Sequence, residues 1–427
     1  MNSEKRFPRF RLSFALLLIL ALVFSCMLSG CGFRRTKEPE PTPEPTVETT
    51  PTPTPEPTPE PTPTYDLNFT VGGQAVSESL TSLDLSQAAP SEVDRLISVL
   101  PALPNLHSID IGTVNAETPA IPWDQILALK QGIPGLAVNG TVTFGGWYTV
   151  SLSDTLLNLN HIPFTDEGDA AWKVAQLMPN LQTLDMDSCG VSNASMGKIR
   201  DSLPNVNVVW RVWFGTGYSV RTDVDRILAS NPDRGGELTP DKTDGLYYCT
   251  KTKYLDLGHN TLLRDISFCR NMPELEVLII SMTGVSDLSP LASCPNLNYL
   301  EFATSGAGDL SPLSGLTKLK DVNLCYSFAL CDIRPLYNLD LDRLWIGCLD
   351  PVPREQIEEY ARLHPNCTIN TTTENPTEEE WRTLDDYYPP QAAPRYAQLY
   401  EEFQYANFPN CYAYTENDPK VYSRFEY

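Results

Sequence analysis

A 22-residue period in the second half of the chain most strongly constrains its fold. The stretch "DLSPLASCPNLNYLEF" at 287–302 returns as "DLSPLSGLTKLKDVNL" at 309–324, and "DISFCRNMPELEVLII" precedes it at 265–280. Four successive units then share the apolar pattern L-x-x-L-x-L. These are Leu275, Leu278, Ile280; Leu297, Leu300, Phe302; Leu319, Val322, Leu324; and Leu341, Leu344, Ile346. Because so short an apolar strand cannot bury its face alone, the units are expected to stack into a solenoid.

A polar or small residue follows each strand motif at a fixed distance. Asn260 holds this position in "YLDLGHNTL", and the later units place Thr283, Ser305 and Ser327 there. The full pattern L-x-x-L-x-L-x-x-N/C-x-L resembles the leucine-rich-repeat signature, and the short form with "DLSPL" resembles the internalin class of bacterial surface repeats. The resemblance covers 253–346. It implies an α/β leucine-rich-repeat solenoid, with a curved parallel sheet on the concave side and helices and 3-10 turns on the convex side.

The first half of the chain repeats with a longer period. The segment "LTSLDLSQAAPSEVDRLISVLPALPNLHSIDIG" at 80–112 aligns with "LLNLNHIPFTDEGDAAWKVAQLMPNLQTLDMDSCG" at 156–190. Each unit has helical apolar spacing between two strand motifs, as in Val93, Leu96, Ile97 and Leu100. We therefore expect longer, helix-containing leucine-rich repeats over 65–214. Cys189 falls at the N/C position of the repeat signature and is predicted to be a buried structural residue, not a reactive thiol.

Three further segments complete the predicted organisation after residue 214. Residues 215–250 are rich in turn formers and predict a connecting insert. The short repeats then occupy 251–370 and end in a cap, a helix through Ile357, Tyr360 and Leu363 followed by a last strand. The tail, 371–427, has 13 aromatic residues. One helix face of the tail is predicted from Tyr396, Leu399, Tyr400 and Phe403. This helix is expected to cover the open end of the repeat stack; the alternative is an aromatic platform for sugars or another protein.

The N-terminus resembles a bacterial lipoprotein signal. Basic residues at 5–11 precede an uncharged apolar run, and "LSGC" at 28–31 resembles the lipobox, in which the signal is removed before the cysteine and the cysteine is lipidated. We therefore expect a signal peptide at 1–30 and acyl chains such as palmitate on Cys31. The expected location is the outer side of the cell membrane. An uncleaved membrane helix over 12–30 is the alternative.

A segment rich in Pro, Thr and Glu follows the predicted lipidation site. The run "EPEPTPEPTVETTPTPTPEPTPEPTPT" at 38–64 contains almost no residue that a core could bury, so residues 31–64 are expected to be a disordered stalk. Dense proline favours an extended spacer of about 3.1 Å per residue, which corresponds to a reach of roughly 80 Å.

Charge and motif content restrict the function. The net charge of −23 disfavours DNA or RNA partners. HExxH, GxSxG, phosphate-binding Gly-rich loops and CxxC are missing from the sequence, and the four His are scattered. We therefore expect neither enzymatic activity nor a metal or cofactor. Nine cysteines lie beyond Cys31, an odd number; Cys325 and Cys331 either pair or remain free. Cys367 beside His364 lies in the predicted cap and is a weak nucleophile candidate.

The predicted binding surface is the concave face, meaning the first and third residues of each short-repeat strand. Its candidate partner-binding residues are Tyr254, Asp256, Ile279, Tyr299, Glu301, Asp321, Arg343 and Trp345. Tyr, Trp and Arg often dominate binding energy at interfaces. Carboxylates at neighbouring strands repel one another unless a cation lies against them, and the acidic column extends through Asp185, Asp110 and Asp84. A partner with a basic patch is therefore expected, unless the acidic face is merely solvated and loops hold the ligand.

These observations predict a non-enzymatic, lipid-anchored cell-surface protein. It would recognise a protein or glycan ligand, or mediate adhesion, through the concave face. Two alternatives stay open at this point. One is a structural scaffold of the cell envelope without an external ligand, and the other is an enzyme whose active residues lie in the tail or in the 215–250 insert.

Overall fold

The computed structural model describes residues 64–216, 218–230, 238–347, 351–371, 380–384 and 391–403. They belong to one compact unit that runs from Thr64 to Tyr427. The predicted signal peptide (1–30), Cys31 and nearly all of the predicted stalk lie outside the described residues, so lipidation stays a prediction. Among the residues described, no helix combines the length and apolar character needed to cross a bilayer.

The first half of the described chain alternates strands and helices, as the longer repeats predict. The strands are Thr70–Val71 (β1), Gln74–Ala75 (β2), Ser82–Asp84 (β3), Ser108–Asn115 (β4), Ala137–Phe144 (β5), Tyr148–Ser151 (β6), Leu156–Asn158 (β7), Thr183–Asp185 (β8), Asn207–Val209 (β9), Arg211–Phe214 (β10) and Tyr218–Arg221 (β11). The α-helices are Pro90–Ser98 (α1), Trp123–Gly132 (α2), Asp169–Leu177 (α3) and Asn193–Ser202 (α4), and Leu100–Ala102 is a 3-10 turn. Strands β3, β4 and β5 pair in parallel, as do β7, β8 and β9. Strand β6 then pairs with β5 in antiparallel fashion, and β10 and β11 form an antiparallel hairpin after β9.

The second half forms one seven-stranded parallel sheet. Its strands are Arg226–Leu228 (β12), Tyr254–Asp256 (β13), Val277–Ile279 (β14), Tyr299–Glu301 (β15), Asp321–Asn323 (β16), Arg343–Trp345 (β17) and Thr368–Asn370 (β18). Corresponding residues of successive repeats are paired in register, as the 22-residue period predicts. The 3-10 turns are Pro240–Lys242, Asp244–Tyr248, Ser267–Asn271, Ser289–Ser293, Ser311–Leu313 and Arg334–Leu336. The described chain is therefore an α/β leucine-rich-repeat solenoid.

Strand β12 lies inside the segment that was predicted to be a connecting insert. It pairs in parallel with β13, so the sheet begins before residue 251. The turn-forming residues that follow β12 concealed this strand in the sequence, because they suggested a break in the repeat pattern.

The apolar repeat positions fill the core. The middle residues of β13 to β17 are buried, and so are the apolar residues two positions later. The polar residues that follow the strand motifs, at the position of Asn260, donate hydrogen bonds to backbone carbonyls. The Asn260 amide donates to the carbonyls of Ala229 and Leu257 at 2.8 and 2.9 Å, and the Cys189 thiol donates to the Leu159 carbonyl at 3.0 Å. The bonds to Ala229 and Leu159 join one turn of the solenoid to the next.

The recurring aspartate of "DLSPL" caps the 3-10 turn that follows it. One carboxylate oxygen accepts a hydrogen bond from the backbone N–H two residues later in every short repeat. The four aspartates are Asp265, Asp287, Asp309 and Asp332, with distances of 2.8, 2.8, 2.8 and 2.9 Å. Such a bond satisfies a backbone donor at the turn's N-terminus, which explains why the aspartate recurs at this position.

A second recurring feature is a non-glycine residue with positive φ just after the strands. Met282 and Thr304 have φ values of 57° and 59°, and Ser188 in the longer repeats has 58°. The N–H of Met282 donates to the Ala303 carbonyl of the next repeat at 2.8 Å, and that of Thr304 donates to Cys325 at 2.7 Å. The inter-repeat hydrogen bond maintains a backbone conformation that L-residues rarely adopt.

The repeats end in helix Arg354–Leu363 (α5) and strand β18, as expected for the cap. Only part of the predicted apolar face of α5 is buried: Tyr360 is buried, Ile357 is half-buried and Leu363 is exposed. Two short strands, Thr383–Leu384 (β19) and Gln391–Ala392 (β20), then pair in antiparallel fashion before helix Pro394–Glu402 (α6). Among the described cysteines, Cys325 is buried and Cys331 is exposed.

Candidate functional site

The concave face of the short repeats is covered by the chain's own tail. Seven of the eight predicted partner-binding residues have relative exposures of 2% or less: Tyr254, Asp256, Ile279, Tyr299, Glu301, Asp321 and Trp345. Arg343 is half-buried. The expectation of an open concave face is therefore wrong in this structure. The physical reason is that Trp381, Arg382 and the segment from Pro394 to Phe403 pack against the same aromatic and acidic side chains that made this face a binding candidate.

Trp381 is the aromatic anchor of the tail. Its ring lies 5.2 Å from the ring of Tyr299 and 5.3 Å from that of Trp345, centroid to centroid. The Arg343 guanidinium lies over the same ring, 4.3 Å from its centroid. Arg343 also donates from Nη1 to the backbone carbonyls of Glu380 and Trp381, both at 3.2 Å. Together with the hydrogen bond from its indole N–H to Glu301, this one tail residue engages four of the predicted binding residues.

Helix α6 contributes a second apolar contact. Tyr396, Leu399 and Phe403 are buried in one cluster with Tyr254, Val277 and Ile279 of the concave face. The rings of Phe403 and Tyr254 are 5.2 Å apart. The predicted helix face is therefore correct for three of its four residues, while the side chain of Tyr400 lies outside the described set. Its predicted position was wrong, because the helix covers the concave face instead of the open end of the stack.

Glu301 is the electrostatic centre of this contact. Its carboxylate accepts hydrogen bonds from Arg382 Nε at 2.9 Å and from Arg382 Nη2 at 2.6 Å. Trp381 Nε1 donates to it at 2.8 Å, the Tyr299 hydroxyl at 3.0 Å and the Ser281 hydroxyl at 2.9 Å. Burial acts to raise the pKa of Glu301, but the Arg382 charge and these hydrogen bonds outweigh burial and hold the pKa below its usual range. Glu301 is therefore a charged, fully coordinated receptor for a guanidinium.

Asp321 receives two further arginines. Arg343 of the neighbouring strand donates to one carboxylate oxygen at 2.7 Å, and Arg395 of α6 donates to the other at 2.7 Å. Arg395 also donates to the Asn298 side chain at 3.1 Å. The tail therefore supplies one arginine to Glu301 and one to Asp321, so the predicted cationic partner is present within the same chain.

Asp256 is the remaining carboxylate of the concave face, and its environment differs. One oxygen accepts the Gly258 N–H at 2.9 Å, while the other is buried without a hydrogen-bond partner in the described part of the chain. Burial raises the pKa of Asp256 to about 6, partly opposed by the Arg382 charge and the Gly258 hydrogen bond and reinforced by the Glu301 charge. The concave face thus contains one carboxylate that the tail does not satisfy.

The acidic column does not continue as one surface into the first half. Strands β3–β6, β7–β9 and β12–β18 form separate sheets. Asp185 forms an ion pair with Arg221 of hairpin β10–β11, with an N–O distance of 3.0 Å. Asp84 and Asp110 are exposed and accept backbone hydrogen bonds from Ser86 and Gly112. Sheet breaks and a local arginine therefore relieve the repulsion that was expected to require a partner.

Other candidate chemistry is not supported by the geometry. The His364 ring nitrogen Nε2 lies 2.9 Å from the Tyr337 carbonyl, and burial raises the pKa of Cys367 to about 12. A thiol with so high a pKa is protonated at neutral pH and is a poor nucleophile. The described residues contain no group of three or more His, Cys, Asp or Glu side chains arranged to hold a metal ion.

The residues that complete the site were not among the predicted ones. Trp381, Arg382 and Arg395 lie in the tail, which was expected elsewhere. Two signals in the sequence pointed to them: apolar residues at concave positions that are polar in the first half, and an aromatic-rich tail with arginines beside aromatic residues.

Comparisons with known proteins give matches of low sequence identity and low TM-score. No protein-family model and no curated protein matches the sequence. Solved structures that match include an internalin (inlF) from Listeria monocytogenes, at 20% identity over 67% of this chain and 82% of that chain, with a TM-score of 0.30. The leucine-rich-repeat protein LIC12759 of Leptospira interrogans matches at 16% identity over 70% and 91%, with a TM-score of 0.32.

A TLR13–ssRNA13 complex also matches, at 16% identity over 74% of this chain and 42% of that chain, with a TM-score of 0.25. The likeness to all three proteins concerns the fold alone. The in-register parallel strands of this chain directly establish the predicted leucine-rich-repeat architecture.

Proposed function

We propose that this protein is a non-enzymatic recognition protein whose concave face binds a polypeptide segment. The proposal rests on one observation: the face already holds such a segment, because Trp381 and Arg382 insert among Tyr299, Glu301 and Trp345. In the full protein, lipid on Cys31 and the stalk at 31–64 would hold this surface outside the membrane. We infer that the tail occupies the place of a ligand.

The contact between tail and sheet has the character of an interface. Each polar contact between the described tail residues and the sheet involves a side chain on at least one side, and no backbone–backbone hydrogen bond joins residues 380–384 or 391–403 to the sheet. Aromatic anchors in a desolvated centre, with arginines paired to carboxylates, are the features that dominate protein–protein interfaces. A segment held in this way can be exchanged for another without disrupting the ladder of the repeats.

The chemistry favours a polypeptide over a glycan or a nucleic acid. Glu301 and Asp321 accept N–H donors from guanidinium groups, and buried carboxylates need such charged partners. Neutral sugars carry no cation, and phosphates would be repelled by these carboxylates. We therefore predict that the ligand is a polypeptide with basic residues. We also predict that the face binds no nucleic acid.

A peptide-binding experiment tests the proposal. In the full chain, Trp381→Ala with Arg382→Gln removes the anchor and the ion pair, which should release the tail and leave the face open. A fluorescent peptide with the sequence of residues 380–403 should then bind this variant in the micromolar range or tighter, and should bind far more weakly to the wild type. Anisotropy measures the binding.

The matched control replaces an exposed tryptophan of the first half. Trp147→Ala should leave peptide binding at the wild-type level, since Trp147 is 71% exposed and distant in sequence from the tail. If the release variant is folded, its tail is cut readily by trypsin and the peptide still fails to bind, the concave face is a covered core surface and not a recognition site.

Membrane attachment is tested separately. A clickable palmitate analogue should label the wild-type chain in a bacterial host and should not label Cys31→Ala. Equal labelling of both chains would contradict lipidation at Cys31.

A further inference from the structure

Three buried carboxylates lie on the concave face, and the tail neutralises two of them. Arg382 pairs with Glu301 and Arg395 pairs with Asp321, at 2.6 and 2.7 Å. Asp256 is fully buried, and its second oxygen has no hydrogen-bond partner in the described structure. A buried carboxylate without a paired cation is costly, so the tail complements this face incompletely.

The surroundings of Asp256 indicate which kind of partner its second carboxylate oxygen lacks. Leu228 and Ile279 flank it on the adjacent strands, and Tyr254 precedes it by two residues on its own strand. The charged groups that act on it are Arg382 and Glu301, which together add one positive and one negative charge. The arginines of this face bond to Glu301 and Asp321, so what Asp256 lacks is a cationic donor for its second oxygen.

In the part of the tail that the structure describes, no Lys or Arg follows Arg395. Helix α6 reaches Tyr254 through Phe403, and the residues after Arg395 are "YAQLYEEF", which contain two glutamates and no Lys or Arg. A guanidinium at the position of Phe403 could stack on the Tyr254 ring and extend toward Asp256, because arginine combines a planar face with a forked donor.

We propose that the ligand which displaces the tail is a cationic and aromatic polypeptide segment that contributes a third positive charge, to Asp256, in addition to the two arginine contacts the tail already makes. This inference rests on the proposed function and specifies its ligand class. The tail is then a weaker internal competitor that keeps the aromatic concave face covered until such a segment arrives.

A double-mutant cycle tests the third charge. Three peptides of residues 380–403 are compared: the native sequence, Phe403→Arg, and Phe403→Gln as its neutral counterpart. Each is titrated into the full-chain release variant (Trp381→Ala, Arg382→Gln), with Asp256 present or replaced by Asn. We expect the Arg peptide to bind about tenfold tighter than the Gln peptide when Asp256 is present, and at most about twofold tighter with Asp256→Asn. An equal ratio in both proteins would overturn the proposal.

The outcomes separate the two levels of inference. If no peptide binds a release variant that is folded, the proposed function fails. If the native peptide binds but the Arg peptide gains nothing over the Gln peptide, the recognition function stands and the third-charge proposal fails.

A measurement that needs no release variant protects the test against misfolding. Phe403→Arg and Phe403→Gln are introduced into the otherwise wild-type full chain, and cleavage by chymotrypsin at the tail is timed. The Arg variant should be cut several-fold more slowly than the Gln variant, and Asp256→Asn should remove the difference. Equal cleavage rates with Asp256 present would contradict the proposal.

Discussion

The two halves of the solenoid share a backbone plan but differ in what covers their strands. In the first half several outward strand residues are polar and open to solvent, as at Asp84, Asp110 and Asn158. In the second half the same positions are Tyr254, Ile279, Tyr299 and Trp345, and all are buried by the tail. The middle residue of the strands is a buried aliphatic side chain in both halves.

This difference shows that the outward strand residues, and not the repeat pattern, determine which surface of a solenoid becomes covered. The buried apolar residues of the repeats fix the strand register and do not depend on which residues point outward. Aromatic residues at outward positions indicate a surface that will be buried by something, and here a segment of the same chain buries it.

The largest expected effect comes from removing the tail's anchor. Trp381→Ala deletes a fully buried ring that contacts Tyr299 and Trp345, and should cost about 3–5 kcal/mol in the stability of the tail-covered half. Its counterpart in the first half, Trp147→Ala, should cost under about 0.5 kcal/mol. Denaturant unfolding and hydrogen exchange measure the two variants. Similar losses would remove the distinction between the halves.

The next effect comes from the buried ion pair. Glu301→Gln leaves the Arg382 guanidinium buried without its counter-charge, and should destabilise the protein by about 3 kcal/mol. Asp110→Asn, at an outward strand position in the first half, should produce no measurable change in thermal unfolding because Asp110 is exposed. If both substitutions prove neutral, the tail is not held by this pair.

A smaller effect of opposite sign is expected at Asp256. Burial raises the pKa of this carboxyl from 3.8 to about 6, so the folded state binds its proton more tightly than the unfolded state. Stability from this group is therefore complete below about pH 4 and is lost as the pH rises to about 6.

Asp256→Asn should accordingly stabilise the protein at pH 7.5, by at most about 3 kcal/mol, and the gain should shrink as the pH falls from 6 toward 4. The matched variant Asp185→Asn breaks an ion pair with Arg221 and should not stabilise at any pH. Thermal unfolding at several pH values measures both. A gain at Asp256→Asn that does not depend on pH would contradict this account.

The smallest effect should be equal in the two halves. Ser188 and Met282 have positive φ at equivalent points after their strands, so glycine at either position should relieve strain of up to about 1 kcal/mol. Equal gains for Ser188→Gly and Met282→Gly in denaturant unfolding would show that the backbone plan is common. A gain in stability in one half only would show that the repeats also differ in backbone strain, and not only in what covers their strands.

The repeat architecture could be predicted from the sequence because its information is local and periodic. Leu278, Leu300 and Val322 recur at a constant interval, and this interval alone specifies the parallel register. Asn260 and Cys189, at the N/C position of the repeat signature, follow from the same alignment. Strand β12 was missed because its residues stand alone before a turn-rich segment.

The site could be predicted only in part. The residues of the concave face were named as candidates, and a partner with a basic patch was expected for them. The partner's origin was not, because Arg382 meets Glu301 across a sequence separation of 81 residues and no periodicity encodes such a pairing. Trp381 lies outside the predicted helix face, and its neighbour Arg382 marked the pair as unusual without indicating which surface it covers.

Oxidative footprinting of the full chain tests the central claim most directly. Hydroxyl radicals modify exposed aromatic rings, and mass spectrometry reports the rate at each residue. We expect Trp345 and Tyr299 to be protected while Trp147 and Trp213 react rapidly. Modification of Trp345 as fast as that of Trp147 would show that the tail does not cover the concave face.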